Sequence, residues 1–584
     1  KLSLIDATNG QVASGDSALR AVAGAIQRGQ IVALKGIGGF QLIVNALDEA
    51  AVGRLRERKH RPDKPFALMF PSLEVVRKYC ALCASAERAL SSEAAPIVLL
   101  ERLDRPGSNR PALAGNVALG NPRLGVMLPN SPLHSLLLAG IDGPVVCTSG
   151  NLSNEPICIE TEEANGRLAK IADLFLTHDR AVVRPIDDSV VSANARGIRM
   201  IRRARGYAPV AIDLATGGPV VLALGGHLKN TVALAVGRQV VMSQHIGDLD
   251  NASARTALRR AIDDLRSFFP CRIDLVACDL HPDYASTIVA EQLAAEVGAP
   301  LLRVQHHHAH LAAVAAEHRL EEPVLGFAWD GSGYGLDGSI WGGEAIVVRG
   351  AGFERVATMR SFRLVGGESA IREPRRCALG ILHAAGLKPP ASVLRWFEGD
   401  MADRLGGVLE RRLNAPVTSS IGRMFDAIAA LCGVRGVATF EGQAAMELEY
   451  ALDAGAEREG AYPVMVRRED GLLVGDWKPL LEAVVADLRV GIPISRISAR
   501  FHNALAAFAL EIAQAARLSR IALGGGCFQN EYLLHRVTER LESAGFQVYA
   551  PARIPTNDGG IAFGQVAAAR QAARESEYVP SGSR

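Results

Sequence analysis

Four of the chain's fourteen histidines fall within five positions, in the stretch VQHHHAHLAAVAAEH at residues 304–318. LLRV reads as the end of a strand and HAHLAAVAAEH as an alanine-rich helix. On a helix, His306 and His310 stand at i and i+4 on one face, where two neutral imidazoles can share one metal ion. The peptidase form of such a pair needs a glutamate beside the first histidine. Here His307, His308 and Ala309 intervene, so no general base accompanies the pair. His307 and His308 are left to support the ligands or to lie at the surface. The plainer reading is a set of capping and surface histidines, and four so close together weigh against it. A metal needs further ligands, and two aspartates are placed for that. Asp330 is read as ending the apolar strand VLGFAW and starting the turn DGSGYG. Asp558 sits in PTNDGG, after the apparent strand FQVYA. Carboxylates at strand ends point into the crevice where α/β folds bind ligands. Two histidines with two aspartates suit iron, zinc or manganese, although either aspartate alone would pass for a turn residue.

A second set of residues suits phosphate. GGGCFQN, at 524–530, follows the strand RIALG and precedes the helix EYLLHRVTERL. Glycines there let backbone approach a phosphate or an adenine, and the helix N-terminus favours anions. EGQAAMELEYA carries Glu441, Gln443, Glu447 and Glu449, and reads as an ordinary solvated helix face. Nearer the start, RERKHRPDKP packs Arg58, Lys59, His60, Arg61 and Lys64 into seven positions, stiffened by two prolines. Lys35 lies just after a strand, before GIGGF. TSGNLSNEP offers Ser149 and Asn151 on a turn after a buried strand. VVRPIDDSVV and IRMIRRARGYAP add Arg184, Arg199, Arg202, Arg203 and Arg205. Together they make an anion pocket fit for a triphosphate; for any single arginine, a surface position is the simpler reading.

The elements that must hold these residues follow an α/β pattern. The order in SALRAVAGAIQRGQIVALKGIGGF is helix, then strand, then glycines, and AAVGRLRERKHRPDKPFALMF repeats it with a basic loop. The first unit is expected to run to about Pro209, with a boundary near residues 216–219. The second opens with a strand, a Gly-rich turn and a strand in VVLALGGHLKNTVALAVGRQVVM. PVLGFAWDGSGYGLDGSIWGGEAIVVRG has the same form. Two such hairpins point to an internal duplication of the actin and sugar-kinase kind. At 584 residues, 48% hydrophobic and 22% charged, the chain is globular and too long for one core. A net charge of +2 argues against binding nucleic acid by bulk charge. No apolar run is long enough to span a bilayer, and no secretory signal opens the chain. Nine cysteines, an odd number in no disulfide-like framework, suggest a reducing cytoplasm. The lone CxxC of Cys80 and Cys83 lacks the second half of a zinc site. The polar tail ESEYVPSGSR is expected to fray.

The motifs have a family likeness. KGIGGFQL, RERKHRPDKPFALM, TSGNLSNEP and RPIDDSVV, in that order, resemble a YrdC-type domain. GGHLKNTVAL, SQHIGDL, VQHHHAHLAAV, DGSGYGLDGSIWGGE, EGQAAMELE, GGGCFQN and PTNDGGIAFGQ follow. The whole series resembles the HypF carbamoyltransferases of nickel–iron hydrogenase maturation. The second part is also similar to TsaD, a tRNA threonylcarbamoyl-transferring protein, and to antibiotic O-carbamoyltransferases such as TobZ. The likeness covers nearly the whole sequence.

It implies a YrdC-like domain at 1–209 that makes carbamoyl adenylate from carbamoyl phosphate and ATP, with Mg, releasing pyrophosphate. It implies a TsaD-like domain of two subdomains at 219–575 that passes the carbamoyl group to the C-terminal cysteine of a HypE-like partner. Dehydration there would give the thiocyanate that supplies cyanide to the hydrogenase. By the same likeness His306, His310, Asp330 and Asp558 hold one divalent ion, iron or zinc. Gly331, Gly333, Gly524, Gly525, Gly526 and Asn530 contact the nucleotide. Lys35, Lys59, Arg61 and Arg203 act in the YrdC cleft, with Ser149 and Asn151. Complete members carry an acylphosphatase-like domain and two zinc-finger-like modules upstream. A chain starting at Lys1 is expected to be a fragment, or else a natural short form. The alternatives are an O-carbamoyltransferase for a small-molecule hydroxyl, a tRNA-modifying enzyme, or an actin-like ATP-binding scaffold without catalysis.

Overall fold

The computed structural model describes residues 1–577 apart from 9, 104–110, 153–154 and 321–322. Residues 578–584, most of the stretch expected to fray, lie outside that range. The described residues form two compact units. The first comprises 1–211, 228–232 and 241–270; the second comprises 212–227, 233–240 and 271–584. The chain thus returns to the first unit twice after the boundary expected near 216–219. None of the helices among the described residues is long and apolar enough to cross a membrane.

The first unit is built on an eleven-stranded mixed sheet. Helix Gly15–Gln27 turns Ala18, Val22, Ala25 and Ile26 inward, the spacing of an amphipathic helix. Strand Val32–Lys35 follows and pairs antiparallel with Phe40–Asn45. Phe40–Asn45 pairs in turn with Val145–Ser149, placing Gln41 opposite Ser149. Helix Glu49–Arg58 starts on Asp48, whose side chain accepts from the Ala51 amide, and ends at Lys59. The basic loop beyond it is shaped from below by buried Arg56. Its Nη1 donates to the carbonyls of Arg61, Pro62 and Lys64, and its Nε to that of Asn116.

The second unit contains one arrangement twice. In the first copy Val221–Ala223 pairs antiparallel with Ala233–Val236 and parallel with Leu275–Asp279, which is followed outward by parallel Leu301–Val304. In the second, Val324–Tyr334 pairs antiparallel with Ile340–Arg349 and parallel with Arg520–Gly524, followed by Gln547–Tyr549. Both expected hairpins are present, and so is the duplication. Each copy's outer strand leads into a long helix, His306–Glu317 in one and Ile561–Glu577 in the other, and these two helices pack together. Ala309, Ala312, Ile561 and Ala568 share their contact. Gly564 lies against the Ala309 carbonyl, where a Cβ would not fit.

One expectation about Asp330 is corrected. The strand does not end there but runs from Val324 to Tyr334, with a register shift between Trp329 and Gly333. The turn lies further on, between Tyr334 and Ile340. A bulge bends the strand and re-aims side chains without ending the pairing, so Asp330 turns towards the histidine helix from within a ladder.

Candidate metal centre and anion cleft

Helix His306–Glu317 begins on Gln305, whose side chain accepts from the His308 amide at 2.9 Å. This cap fixes the first turn and so the direction of His306. As the i, i+4 spacing requires, His306 and His310 come together, with ring centroids 5.0 Å apart. Asp330 arrives from the bulged strand, and Asp558 from the short turn that precedes Ile561–Glu577. His306 Nε2 lies 3.4 Å from Asp330 Oδ2 and 3.8 Å from Asp558 Oδ1. His310 Nε2 lies 3.2 Å and 3.9 Å from the same two oxygens. Ligand atoms about 2.1 Å from a tetrahedral ion stand roughly 3.4 Å from one another. The four side chains offer ligand atoms all within 4.8 Å of each other. His306 Nε2 is buried without a hydrogen-bond partner. An orphaned buried nitrogen facing two carboxylates fits a metal ion, and the donor set suits iron, zinc or manganese.

Asp279, which the sequence reading passed over, completes the arrangement. It is fully buried at the end of strand Leu275–Asp279, and its Oδ2 stands 2.7 Å from His306 Nδ1. A carboxylate on the far nitrogen fixes the tautomer and leaves Nε2 as the ligand atom. Burial alone would lower the His306 pKa. The Asp279 carboxylate, with Asp330 and Asp558 beyond, reverses that and holds it well above the ordinary value. Burial would likewise raise Asp330, but the His306 and His310 imidazoles beside it hold it well below the carboxylate range. The cluster therefore favours positive charge at its centre.

The glycines explain how backbone gets so close. Gly331 and Gly526 amides both donate to Asp330 Oδ1, at 2.8 and 3.1 Å, leaving Oδ2 for the histidines. Gly525 takes a φ of +98° directly against Trp329, and Trp329 stacks on Phe528 at 5.2 Å. A Cβ on Gly333 would collide with His307 and come within 3.0 Å of His306. One on Gly524 would stand 3.3 Å from His310 Cβ. The turn at Gly226 also reaches the cluster: a Cβ there would be 3.6 Å from Asp558 Oδ2. Asn530 caps helix Glu531–Ser543, accepting from the Leu533 amide, and its Nδ2 bonds buried His502. Burial lowers His502 to about 4, so it is neutral.

Of the two places left open for His307 and His308 the surface is excluded, and one further expectation is corrected. His307 and His308 are both buried and neither is at the surface; burial pushes His307 well below its ordinary pKa and His308 down to about 4. His307 is held by Gln305 Nε2 at 3.0 Å. The segment read as a solvated helix face is partly inside. Gln443 and Glu449 are buried, and Glu449 Oε1 accepts from the Glu531 and Tyr532 amides at the start of the next helix.

In the first unit, Lys59, Ser149 and Asn151 meet. Lys59 Nζ donates to the Ser149 carbonyl at 2.8 Å, the Asn151 carbonyl at 2.6 Å and Asn151 Oδ1 at 2.9 Å. Ser149 Oγ donates to the same Oδ1 at 2.7 Å. Burial, with the Arg61 guanidinium next in weight, lowers Lys59 to about 7; burial lowers Arg61 to about 10. Lys64 and Arg202 share this neighbourhood with Asp187, which lies 3.9 Å from Arg202. The other two candidates lie in the same unit. Lys35 is buried at its strand end beside His178, and Arg203 donates to the Val210 carbonyl at 2.6 Å.

Comparison with known proteins shows the family. The family model "Carbamoyltransferase, Kae1-like Domain, second subdomain" matches residues 326–565, and "HypF Kae1-like domain" matches 216–317. A third, described as "Telomere recombination" and built on Sua5, yciO and yrdC proteins, matches 24–204. The carbamoyltransferase HypF of Synechocystis is 43% identical over 96% of this chain and 74% of its own length. The chain belongs to the HypF carbamoyltransferase family. The HypF of Rhizobium leguminosarum is 40% identical over 95% of this chain and 72% of its own. A crystal structure of full-length HypF, in a phosphate- and nucleotide-bound form, matches with a TM-score of 0.91 at 42% identity. It covers 98% of this chain and 74% of that one. HypF from T. kodakarensis matches with a TM-score of 0.89 at 32% identity, over 98% and 76%. Membership makes the chain a carbamoyltransferase with a YrdC-like part and Kae1-like parts.

Proposed function

We propose that the chain activates a carbamoyl group as carbamoyl adenylate and transfers it to the C-terminal cysteine of a HypE-like protein, for cyanide synthesis in nickel–iron hydrogenase maturation. The YrdC-like part, residues 1–209, carries the first step. Water hydrolyses carbamoyl phosphate to carbamate and phosphate; the carbamate oxygen then attacks the α-phosphorus of ATP and pyrophosphate leaves, its charge one that Mg would neutralise. Lys59, Arg61, Ser149 and Asn151, with Lys35 and Arg203, are the groups assigned to that cleft. Cations there favour the departing polyphosphate.

Residues 219–575 carry the second step. The acceptor sulfur forms a bond to the carbamoyl carbon, the carbon–oxygen bond to phosphate breaks, and AMP leaves. A divalent ion held by His306, His310, Asp330 and Asp558 would supply Lewis-acid character to the oxygens of the adenylate. Asp279 holds His306 in register. The Gly331, Gly333 and Gly524, Gly525 and Gly526 turns, with Asn530, are assigned to the nucleotide. The observation that carries the reading is the two-His, two-Asp cluster with its orphaned His306 Nε2, in a chain of this family.

The test is to incubate the chain with ATP, labelled carbamoyl phosphate and HypE, then look for label on the partner's last cysteine. Label there, with AMP and pyrophosphate released, is expected. Absence of label on HypE combined with label on an amino sugar would overturn the reading in favour of O-carbamoyl transfer.

A further inference from the structure

A buried arginine beside the metal cluster has no role so far. Arg423 stands in the first turn of helix Ile421–Leu431 and is 6% exposed. The helix starts on Ser420, whose Oγ accepts from the Arg423 amide at 3.1 Å and donates to the Asp330 carbonyl at 2.6 Å. This ties the arginine's backbone to the bulge that carries a metal ligand. Its side chain reaches the same place: Nη2 lies 3.1 Å from where a Cβ on Gly331 would stand. Nε and Nη1 are buried without a hydrogen-bond partner. Asp426 Oδ2 is 2.9 Å from Nη1, close enough for an ion pair, yet neither atom is aligned for a hydrogen bond with the other. Two buried guanidinium nitrogens without hydrogen bonds are costly, and in native proteins such atoms point to an absent partner. Its planar fork matches phosphate oxygens.

We infer that Arg423 is the phosphate-binding residue of the second unit, forking onto the phosphate of a nucleoside monophosphate mixed anhydride whose other end lies at the metal cluster. In the transfer step the bond from carbamoyl carbon to phosphate oxygen breaks and its electron pair goes to that oxygen. The protonated guanidinium stabilises the charge and keeps its own protons. Asp426 is then the positioning residue that holds the fork, and a side chain at Gly331 would crowd it. This inference rests on the adenylate reading.

The test compares AMP with adenosine binding by calorimetry, on the metal-loaded full chain and its Arg423→Met and Arg423→Lys variants. Charged hydrogen bonds to phosphate make AMP the tighter ligand, and Arg423→Met should weaken AMP about ten- to a hundredfold. Adenosine binding should stay unchanged, and Arg423→Lys should keep part of the AMP preference. Equal losses for AMP and adenosine would mean a merely structural arginine and overturn the inference. So would an undiminished AMP preference in either variant. If Arg423→Met does not fold, Arg423→Lys alone decides, because a lysine cannot reproduce the two-pronged contact and must weaken AMP selectively. Failure of the wild-type chain to bind AMP at all would instead strike the adenylate reading itself.

Discussion

The two centres of this protein place buried charge in opposite surroundings. In the first unit a lysine sits among arginine and lysine neighbours, and burial pushes Lys59 down to about 7. In the second a histidine sits among three carboxylates, and they hold His306 well above its ordinary value although it is wholly buried. The first environment is short of negative charge and the second of positive charge. Under the proposed function each is completed by what it lacks: a polyphosphate in one, a cation in the other. The difference also shows in how the groups are held. Lys59 is bonded to a turn through three acceptors, whereas His306 is bonded on one side by Asp279 and left open on the other.

Breaking either side of that contrast should have separable effects. His310→Ala removes a ligand and should reduce carbamoyl transfer by more than the roughly hundredfold upper range for supporting groups. ATP–pyrophosphate exchange assigned to the first unit should be unaffected, and a matching fall in exchange would show that the centres are not separable. Asp279→Ala removes no ligand but frees the His306 ring; metal affinity, measured by competition with a chelator, should fall about 10–100-fold. Gly333→Ala would force a methyl against His306 and His307, lowering stability by about 1–3 kcal/mol. A thermal melt would show this, with weaker metal binding alongside.

In the first unit the pH dependence has a definite sign. The folded Lys59 gives up its proton near 7, against 10.5 for an ordinary lysine. The unfolded chain therefore holds more protons between those values, and this group makes stability rise with pH across that window. The ammonium, with its third N–H, is lost above pH 7. Adenylate formation should decline there, and in Lys59→Arg the decline should move to higher pH. An unmoved profile would exclude Lys59 as its source. The smallest effect is expected for Glu449→Gln, which weakens charge-assisted bonds to two helix N-terminal amides and should lower stability by about 1 kcal/mol.

Much of the metal cluster was legible because its residues are chemically distinctive and regularly spaced. His306 and His310 declare themselves by four-residue spacing, and the aspartates by glycine turns after apolar runs. Asp279 did not, although it too ends an apolar run, LVACD; a single aspartate at a strand end looks like any turn residue. Arg423 and Asp426 were missed because a basic–acidic pair three apart on a helix usually faces water. Glu449 was misread for the same reason. The helix pattern marks a charged face, but only the tertiary structure shows that helix Glu531–Ser543 starts against it. The strand through Asp330 was cut short because DGSGYG has turn composition, whereas here the glycines serve close packing around His306, His307 and Trp341. The duplicated hairpins were legible, since each repeats strand, glycine and strand. The returns of 228–232 and 241–270 to the first unit were not, because no local pattern encodes them.

Under the proposed function His306, His310, Asp330 and Asp558 hold one metal ion, and both copies of the repeat contribute ligands. Metal content by mass spectrometry, on the purified chain and on His306→Ala and Asp558→Ala, tests it most directly. One ion per chain is expected in the wild type, with loss in both variants, one from each copy. Undiminished metal in either variant would contradict it.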